Sequence, residues 1–346
     1  MNSIIFRCQA SPIIGMGHLV RSRVLAKYLN LIGYKCIMVG PDKIYKLVSD
    51  NTLFDHWLTR TEWINDIDEI NFMDEISKKY DAKHIIMDDY RSNGNVQLNL
   101  RNKGYIILQQ YDASIPQKFA AQLVINSSPA ERRDKYEPNF LISPIKTLHG
   151  PDYSILRDGF LKTKLLPFSH FCKRILISFG GGDDRGNILF VLDSLYKRVP
   201  IDIELDVMVS ENNPNIRNIQ NWIDRHSDIS VCLHVNPIDV PELISKCDLA
   251  ILSGGTTTFE AAHCGVPMIL LPIAPNQSEQ CVGWGKIGAA ISLTALEEVD
   301  NELVCLTVNS LINDPEKRKS MSKAGKKAVD GKGASRIINT LINYKR

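Results

Sequence analysis

Short apolar runs rich in β-branched residues alternate with helical patterns along the first half of the chain. The runs predicted to be strands are SIIFRC, KCIMVG, HIIMDD, GYIILQQ and AQLVINSS. After the first run, Leu19, Leu25, Leu29 and Ile32 recur at helical spacing, and Gly33 closes the helix. Continuous apolar strands separated by helices predict a parallel sheet that is covered on both faces.

The same alternation restarts in the second half. The predicted strands are RILISFGGGDD, IDIELDVMVS, ISVCLHV, DLAILSGG and PMILLPIA, with helices between them and a terminal helix in GASRIINTLINYK. We therefore predict an α/β protein with two doubly wound, Rossmann-like domains. The first covers 1–160, a linker covers 161–174, and the second covers 175–346. A ligand is expected in the cleft between them, at the carboxyl ends of the strands.

Composition excludes several classes of protein. The 346 residues carry a formal net charge of +2, so no attraction to nucleic acid is predicted. No apolar run approaches the ~18 residues that a membrane span needs. The eight cysteines form no CxxC pair and several lie in apolar runs, which predicts free thiols in a cytoplasmic protein. The cysteines and histidines show no metal-ligand spacing, so neither a metal nor a cofactor is expected.

The stretch SPIIGMGHLVRSR places a histidine behind two glycines, between a strand and a helix. Gly15 and Gly17 would let the backbone approach an anionic ligand closely. The positive end of the helix dipole would keep His18 neutral, as a general base requires. From these residues alone, a helix cap or a phosphate contact explains His18 equally well.

A second candidate segment runs from 250 to 280. Gly254 and Gly255 permit a tight turn after a strand, and the threonines that follow offer hydroxyl and N–H groups to a phosphate. Glu260, in the first turns of the next helix, could accept both ribose hydroxyls of a nucleotide. A simpler interpretation is a tight turn with Glu260 complementing the helix dipole, but the length and order of the segment make it less satisfactory.

Two further segments leave alternatives open. In SFGGGDDRGN the glycines could contact a ligand, or they could form a turn in which Asp183 or Asp184 caps the next helix. In MDDYRSNG, Asp88 and Asp89 should point to opposite faces, which makes them a poor acid–base pair. Tyr90 could donate to a substrate or belong to a solvated loop.

Taken together, these segments resemble the nucleotide-sugar hydrolases of pseudaminic acid synthesis, the PseG and SpsG-like family. The opening segment matches through Arg7, Gly15, Gly17, His18, Arg21 and Leu25-Ala26. GPDYSILRDGF matches through Gly150, Tyr153, Leu156, Arg157 and Phe160, and FGGGDD matches a Gly-Gly-x-Asp element. The last segment matches through Gly255, Thr256, Glu260, Gly265, Pro267, Asn276 and Gln277.

This resemblance implies a GT-B fold and metal-free, inverting hydrolysis of a UDP-linked 2,4-diacetamido-2,4,6-trideoxy sugar for nonulosonic acid or surface polysaccharide biosynthesis. His18 would take the proton from water. The substrate-binding residues implied are Gly15, Gly17, Arg21, Tyr90, Tyr153, Arg157, Asn276 and Gln277. Those implied for the nucleotide, on the second domain, are Gly181, Gly254, Gly255, Thr256, Thr257 and Glu260.

Three positions depart from the family pattern in the domain that would hold the sugar. Gln9 stands where the family has aspartate, Asp89 where it has histidine, and Tyr111-Asp112 where it has two aspartates. Such changes alter selectivity, so we expect a different sugar or a different acceptor. The alternatives are a GT-B glycosyltransferase and a non-catalytic nucleotide-sugar-binding protein. A transferase with a membrane acceptor would show an apolar or basic patch on its N-terminal half, for which DKIYKLV and RNKGYIIL are the candidates, and only then would it contact the membrane surface.

Overall fold

The computed structural model describes residues 2–11, 16–111, 118–130, 146–293 and 299–345, apart from the side chain of Asn276. The chain forms two compact units. The first comprises Met1–Arg157 together with Gly331–Arg346, and the second comprises Asp158–Asp330.

The first unit is built on a seven-stranded sheet with helices on both faces. Its strands are β1 (Ser3–Cys8), β2 (Lys35–Gly40), β3 (His56–Thr59), β4 (Ala82–Asp88), β5 (Ile106–Gln110), β6 (Leu123–Asn126) and β7 (Lys146–His149). Its α-helices in the described part of residues 2–157 are α1 (Gly17–Leu31), α2 (Asp50–Leu53), α3 (Asp66–Lys79) and α4 (Gly94–Asn102). The strand order is β3-β2-β1-β4-β5-β6-β7, with parallel pairings.

Alternation along β1 sends its side chains to two different cores. Ile4 and Phe6 are buried with the leucines of α1, whereas Ile5 is buried with apolar residues of α3 and α4. Arg7 is on the same face as Ile5 because residues two apart share a face. A charged side chain is therefore buried beneath α3.

The second unit repeats this architecture with six strands in the order β10-β9-β8-β11-β12-β13, again in parallel pairings. Its strands are β8 (Arg174–Ser178), β9 (Glu204–Val209), β10 (Ser230–Val235), β11 (Leu249–Leu252), β12 (Met268–Leu270) and β13 (Ala290–Ser292). Its helices in the described residues are α5 (Asp158–Lys162), α6 (Asn187–Leu195), α7 (Ile216–Arg225), α8 (Val240–Ser245), α9 (Thr257–Cys264), α10 (Pro275–Ile287), α11 (Asn301–Asn313) and α12 (Pro315–Ala328). The main core packs α6, α7 and α11 against one face of this sheet.

The bounds of both units differ from the predicted domain bounds. The first unit also includes the C-terminal residues, and the second begins before the end of the predicted linker. Residues 161–174 are not a free linker, because the buried Arg318 donates to the His170 carbonyl at 2.6 Å and Cys172 is buried in the second unit. The segment belongs to that unit from Asp158 onward.

The terminal helix was expected in the second domain but belongs to the first unit. This helix, α13 (Gly333–Ile342), buries Ile337 and Leu341 in the same core as α1. Its apolar face therefore packs with α1, near the opposite end of the sequence.

In the described residues, no helix has the length and apolar character needed to cross a membrane.

Candidate active site

In the first unit, the candidate residues lie where the strand order reverses, between β1 and β4. In open parallel sheets, ligands bind outside the carboxyl ends of the strands at such a reversal. Gln9 follows β1, Gly17 and His18 begin α1, and Asp89 follows β4. An added Cβ at Gly17 would meet no atom within 4 Å, so this turn is open. Gly15 is outside the described residues.

His18 is held by the end of β4. Its side chain is almost completely buried, and its Nδ1 lies 2.9 Å from the backbone oxygen of Asp88. A carbonyl oxygen can only accept a hydrogen bond, so Nδ1 carries the proton. In the neutral ring, the lone pair is then on Nε2. The ring also meets Tyr90 edge to face, with centroids 4.6 Å apart.

Arg21 and Asp88 form a two-bond ion pair beside His18. The Arg21 Nε donates to Oδ2 and its Nη2 donates to Oδ1, both at 2.9 Å. The same Oδ1 lies 3.5 Å from His18 Nδ1. Because its guanidinium is held by Asp88, Arg21 fixes the strand end that holds His18. The structure thus gives Arg21 a positioning contact, and the substrate contact that the resemblance implies for it stays a prediction.

Asp89 faces the opposite side of the strand, as expected from the alternation. Its Oδ2 lies 2.5 Å from Arg7 Nη1, and Arg91 binds both of its oxygens at 3.0 and 2.7 Å. Arg7 in turn donates from Nε to Glu69 of α3 at 2.5 Å. These four side chains, in the order Glu69, Arg7, Asp89 and Arg91, form a continuous chain of ion pairs that we call the charge cluster.

The pKa values within the charge cluster diverge. Burial raises the pKa of Asp89 by itself, but the charges of Arg7 and Arg91 and the hydrogen bonds from Arg91 outweigh it, so the pKa lies below its ordinary value. For Glu69 burial dominates the opposing effect of Arg7, and its pKa is raised. Asp89 is therefore the firmly ionised carboxylate of the cluster.

Tyr153 and Arg157, also predicted to bind substrate, lie at the end of the first unit's main segment. Tyr153 ends a short 3-10 turn after Gly150, where φ is +107°. Its ring packs against the core that contains α1 and α13, and its carbonyl accepts from Ser127 Oγ at 3.0 Å. These contacts give Tyr153 a packing role, and Arg157 follows it as a half-buried residue.

In the second unit, two loops follow the strands at the corresponding reversal, β8 and β11. In the loop after β8, Gly181 and Gly182 are exposed, and a Cβ at either would meet no atom within 4 Å. The Gly181 carbonyl accepts from Ser210 Oγ at 2.5 Å. Asp184 accepts from the Ile188 N–H at 2.9 Å, so it satisfies an N–H group in the first turn of α6, whose N-cap residue is Gly186. The glycine loop is therefore open while its far end is fixed.

The loop after β11 is packed more closely. A Cβ at Gly254 would lie 2.7 Å from the Gln277 backbone oxygen, so Gly254 serves the contact with α10. At Gly255 the nearest atom would be Ser253 Oγ at 3.6 Å, so this glycine leaves space. Thr258 is buried and accepts from Trp284 Nε1 at 2.9 Å. Its hydroxyl therefore has an internal partner.

The remaining nucleotide-side candidates lie on α9 and α10. Thr256 is exposed at the start of α9, followed by the half-buried Thr257, and Glu260 is half-buried in the first turn. Gln277 uses its amide oxygen to accept from the Ile273 N–H at 2.9 Å. It therefore secures the loop before α10. Asn276 is at the start of α10.

These two units, each a Rossmann-like parallel α/β unit, define the fold class, which is that of GT-B proteins. MurG of Acinetobacter baumannii superposes with a TM-score of 0.72 at 14% identity, covering 99% of this chain and 100% of that chain. A glycosyltransferase of Rickettsia africae superposes with a TM-score of 0.70 at 14% identity, covering 99% of each chain. The predicted fold class is thereby confirmed.

The particular relatives confirm the resemblance seen in the sequence. SpsG of Bacillus subtilis, a spore coat polysaccharide biosynthesis protein, is 27% identical over 56% of this chain and 57% of its own length. The UDP-2,4-diacetamido-2,4,6-trideoxy-beta-L-altropyranose hydrolase of Campylobacter jejuni is 22% identical over 82% of this chain and 97% of its own. The N-acetylglucosamine transferase of Lacticaseibacillus casei that acts on a pyrophosphoryl-undecaprenol acceptor is 29% identical over 50% of this chain and 49% of its own.

The matches to the first curated relatives cover only part of those proteins. The chain spans little more than half the length of the first curated relatives it matches, 57% and 53%. No protein-family model matches the chain.

Proposed function

We propose that this protein is a nucleotide-sugar hydrolase that releases UDP from a UDP-2,4-diacetamido-2,4,6-trideoxyhexose with inversion at the anomeric carbon. The second unit would bind UDP and the first would bind the sugar. The reaction would serve nonulosonic acid or surface polysaccharide biosynthesis. The names of the Campylobacter and Bacillus relatives support the substrate class and the pathway.

The observation that carries this proposal is the hydrogen bond from His18 Nδ1 to the Asp88 carbonyl, 2.9 Å long. It leaves Nε2 as the base. In the proposed step Nε2 takes a proton from water, the water oxygen bonds to the anomeric carbon, and the bond from that carbon to the UDP oxygen breaks. UDP leaves with the electron pair, so the imidazolium gains one positive charge as UDP gains one negative charge.

On the second unit, the open glycine loop at Gly181–Gly182 and the start of α9 at Thr256–Thr257 would bind the diphosphate. Both follow strands at the reversal of the sheet, and a helix N-terminus stabilises negative charge. That charge grows as UDP leaves, so these groups would stabilise the transition state more than the ground state. Glu260, in the first turn of α9, would accept the ribose hydroxyls.

The test measures UDP release from the UDP-2,4-diacetamido-2,4,6-trideoxyhexose in a buffer that contains EDTA and no acceptor. NMR of the anomeric proton then reports the configuration of the released sugar. His18→Asn places an amide N–H where Nδ1 was, so it can still donate to the Asp88 carbonyl, but it has no basic nitrogen and therefore tests chemistry separately from folding. We expect a loss of about 10²–10⁴-fold in kcat with UDP binding unchanged. Retention of wild-type turnover by this variant would refute the base assignment. Tight UDP binding without turnover in the wild type would favour a binding protein.

A second candidate function is favoured by one observation. In residues 42–49 the side chains of Ile44, Leu47 and Val48 are 78%, 54% and 89% exposed, with Lys43 among them. Asp50 accepts from the Leu47 N–H at 2.8 Å, which fixes this segment. Fixed apolar side chains beside lysine suit the surface of an anionic membrane.

A glycosyltransferase with a lipid-linked acceptor would use such a surface. The Lacticaseibacillus relative is named for an undecaprenol-linked acceptor. If the protein is a transferase, it sediments with anionic vesicles, Val48→Asp abolishes this, and UDP release requires a lipid acceptor. The exposed Ile201→Asp, on the second unit, is the matched control and leaves vesicle binding unchanged.

A further inference from the structure

Three side chains of zinc-binding type come together on β9 and β10, outside the residues proposed for the reaction. They are Asp206, Cys232 and His234, and one ligand atom from each lies within 4.8 Å of the other two. Cys232 pairs in register with Asp206, and His234 follows two residues later on the same face. Their common direction is fixed by the ladder of two parallel strands.

We propose that Asp206, Cys232 and His234 form a binding site for a divalent cation of the zinc type. A carboxylate, a thiolate and an imidazole are all accepted ligands of Zn²⁺, with bonds of about 2.0–2.3 Å. In a tetrahedral site with such bonds, ligand atoms lie about 3.5 Å apart. His234 Nε2 and Asp206 Oδ1 are already 2.7 Å apart, so rotation of side chains brings the set into range.

The exposure of the three residues suits an accessible cation site. Asp206 is buried, the His234 side chain is 25% exposed, and Cys232 is exposed. Cys232 is exposed and Cys305 is partly exposed, whereas the other six cysteines are buried. Because β10 is an edge strand, water can complete the fourth position of the metal.

Arg174 is the feature that opposes a cation. Its Nε and Nη2 donate to Asp206 at 3.0 and 3.1 Å. Glu204 compensates, because one of its oxygens lies 3.5 Å from Arg174 Nε. With Zn²⁺ bound, two carboxylates, a thiolate and the guanidinium balance the charge of the metal to zero.

A purely structural interpretation predicts something different. Arg174, Asp206 and His234 could simply join β8, β9 and β10, and Cys232 would then be an ordinary surface thiol. Only the cation site makes metal affinity depend on Cys232 and His234 together. It also gives Arg174 an opposite effect, since removing its charge would strengthen binding.

The experiment uses the full chain, stripped of metal with EDTA and then dialysed. Co²⁺ is added as a spectroscopic probe, and Zn²⁺ is added in competition. We expect one equivalent of Co²⁺ with a thiolate charge-transfer band, and Zn²⁺ should abolish it. Cys232→Ser and His234→Gln should each weaken Co²⁺ binding at least about tenfold, since even the partners of metal ligands change affinity by about 10–100-fold.

The matched control is Cys305→Ser on α11, which should leave the band unchanged. Arg174→Gln should tighten Co²⁺ binding several-fold. Circular dichroism establishes that each variant is folded. Zn²⁺ should also protect the fast-reacting thiol from a thiol reagent in the wild type. The proposal is wrong if no band forms, if Cys305→Ser removes it, or if Cys232→Ser retains wild-type affinity.

Discussion

Replacing Asp89 by asparagine tests whether this residue holds the first unit together or serves the substrate. The change keeps the shape of the side chain but removes the negative charge between Arg7 and Arg91. Arg7 is 1% exposed, so it cannot recover the lost interaction from water. We therefore expect Asp89→Asn to destabilise the first unit.

The size of the stability loss depends on the interactions that Arg7 and Arg91 keep in Asp89→Asn. Removing one partner of a buried ion pair costs about 3–5 kcal/mol. Glu69 still binds Arg7 at 2.5 Å, and the Arg91 side chain is 36% exposed and regains hydration. Both effects place the loss at the lower end, about 3 kcal/mol. The pH dependence has a definite sign: because the pKa of Asp89 is lowered in the folded state, its contribution is present above the unfolded value of about 3.9 and is lost as pH falls through the folded value.

Hydrogen exchange read by mass spectrometry on peptides of β1 and β4 measures the opening free energy of the first unit alone. The difference between wild type and Asp89→Asn should be constant from pH 7 to pH 5 and should shrink below about pH 4. Asp68→Asn removes a more exposed pair with Arg60 in the same unit and serves as the control, with a much smaller effect. A loss under about 1 kcal/mol at pH 7 would refute the structural role of Asp89.

Further substitutions test other contacts. Asp74→Asn should lower the melting temperature at pH 7, because a hydrogen bond from Lys78, despite the opposing effect of burial, holds the pKa of Asp74 well below its usual range, and the difference from wild type should shrink only gradually as the pH falls below about 4. Gly254→Ala should cost about 1–3 kcal/mol in denaturant unfolding, whereas Gly255→Ala should stay within about 0.5 kcal/mol. Gly333→Ala would place a Cβ 2.0 Å from the Ser154 backbone oxygen, so α13 should lose exchange protection while peptides of the second unit keep theirs.

The sheets were largely predictable because their central strands are buried on both faces. The runs at β1, β4, β8 and β11 are nearly continuous apolar segments, which local periodicity detects. The missed strands are short or polar at the edges: β3 and β7 each expose two of four residues, and β13 has three residues. These strands form because a neighbouring strand pairs with them, and their own hydrophobic pattern does not predict them.

The terminal helix shows what periodicity leaves open. The spacing of Ile337, Ile338 and Leu341 predicts a helix with an apolar face, and α13 has one. It does not say which core that face joins, and proximity in sequence suggested the second domain. The partner is α1, roughly 310 residues earlier, and only the folded chain brings the two together.

The candidate site divides in the same way. His18 was found from its local glycines and its place before a helix, but its hydrogen bond joins residues 70 apart in sequence. Glu69 and Arg91 were missed, although Glu69 gave a signal as a carboxylate on the buried face of α3, next to Ile70. Asp89 was singled out at the end of a strand and as a departure from a family pattern, but its ion pairs with Arg7 and Arg91 were not predicted. Asp89, which stands where the family has histidine, forms ion pairs with both arginines of the charge cluster.

If this protein takes a different sugar from its relatives, Gln9 is a candidate for the residue that distinguishes it, because Asp89 and Arg21 are bound within the first unit. Within the residues that the structure describes, the Gln9 amide oxygen is buried and has no hydrogen-bond partner. An unsatisfied buried acceptor costs about 1–3 kcal/mol, so Gln9→Met should stabilise the first unit. The same change should weaken substrate binding if this oxygen accepts a group of the sugar.

Gln122 is the matched control, because its amide oxygen accepts from the Ile107 N–H at 2.8 Å and its amide nitrogen donates to Tyr105. Gln122→Met should therefore destabilise the same unit. The informative measurement pairs unfolding with the KM for the UDP-sugar. Gain of stability with a raised KM would mean that Gln9 is kept for the substrate at a cost in stability. Gain of stability with an unchanged KM would remove Gln9 from the site, and any difference in sugar specificity would then have to arise from another residue.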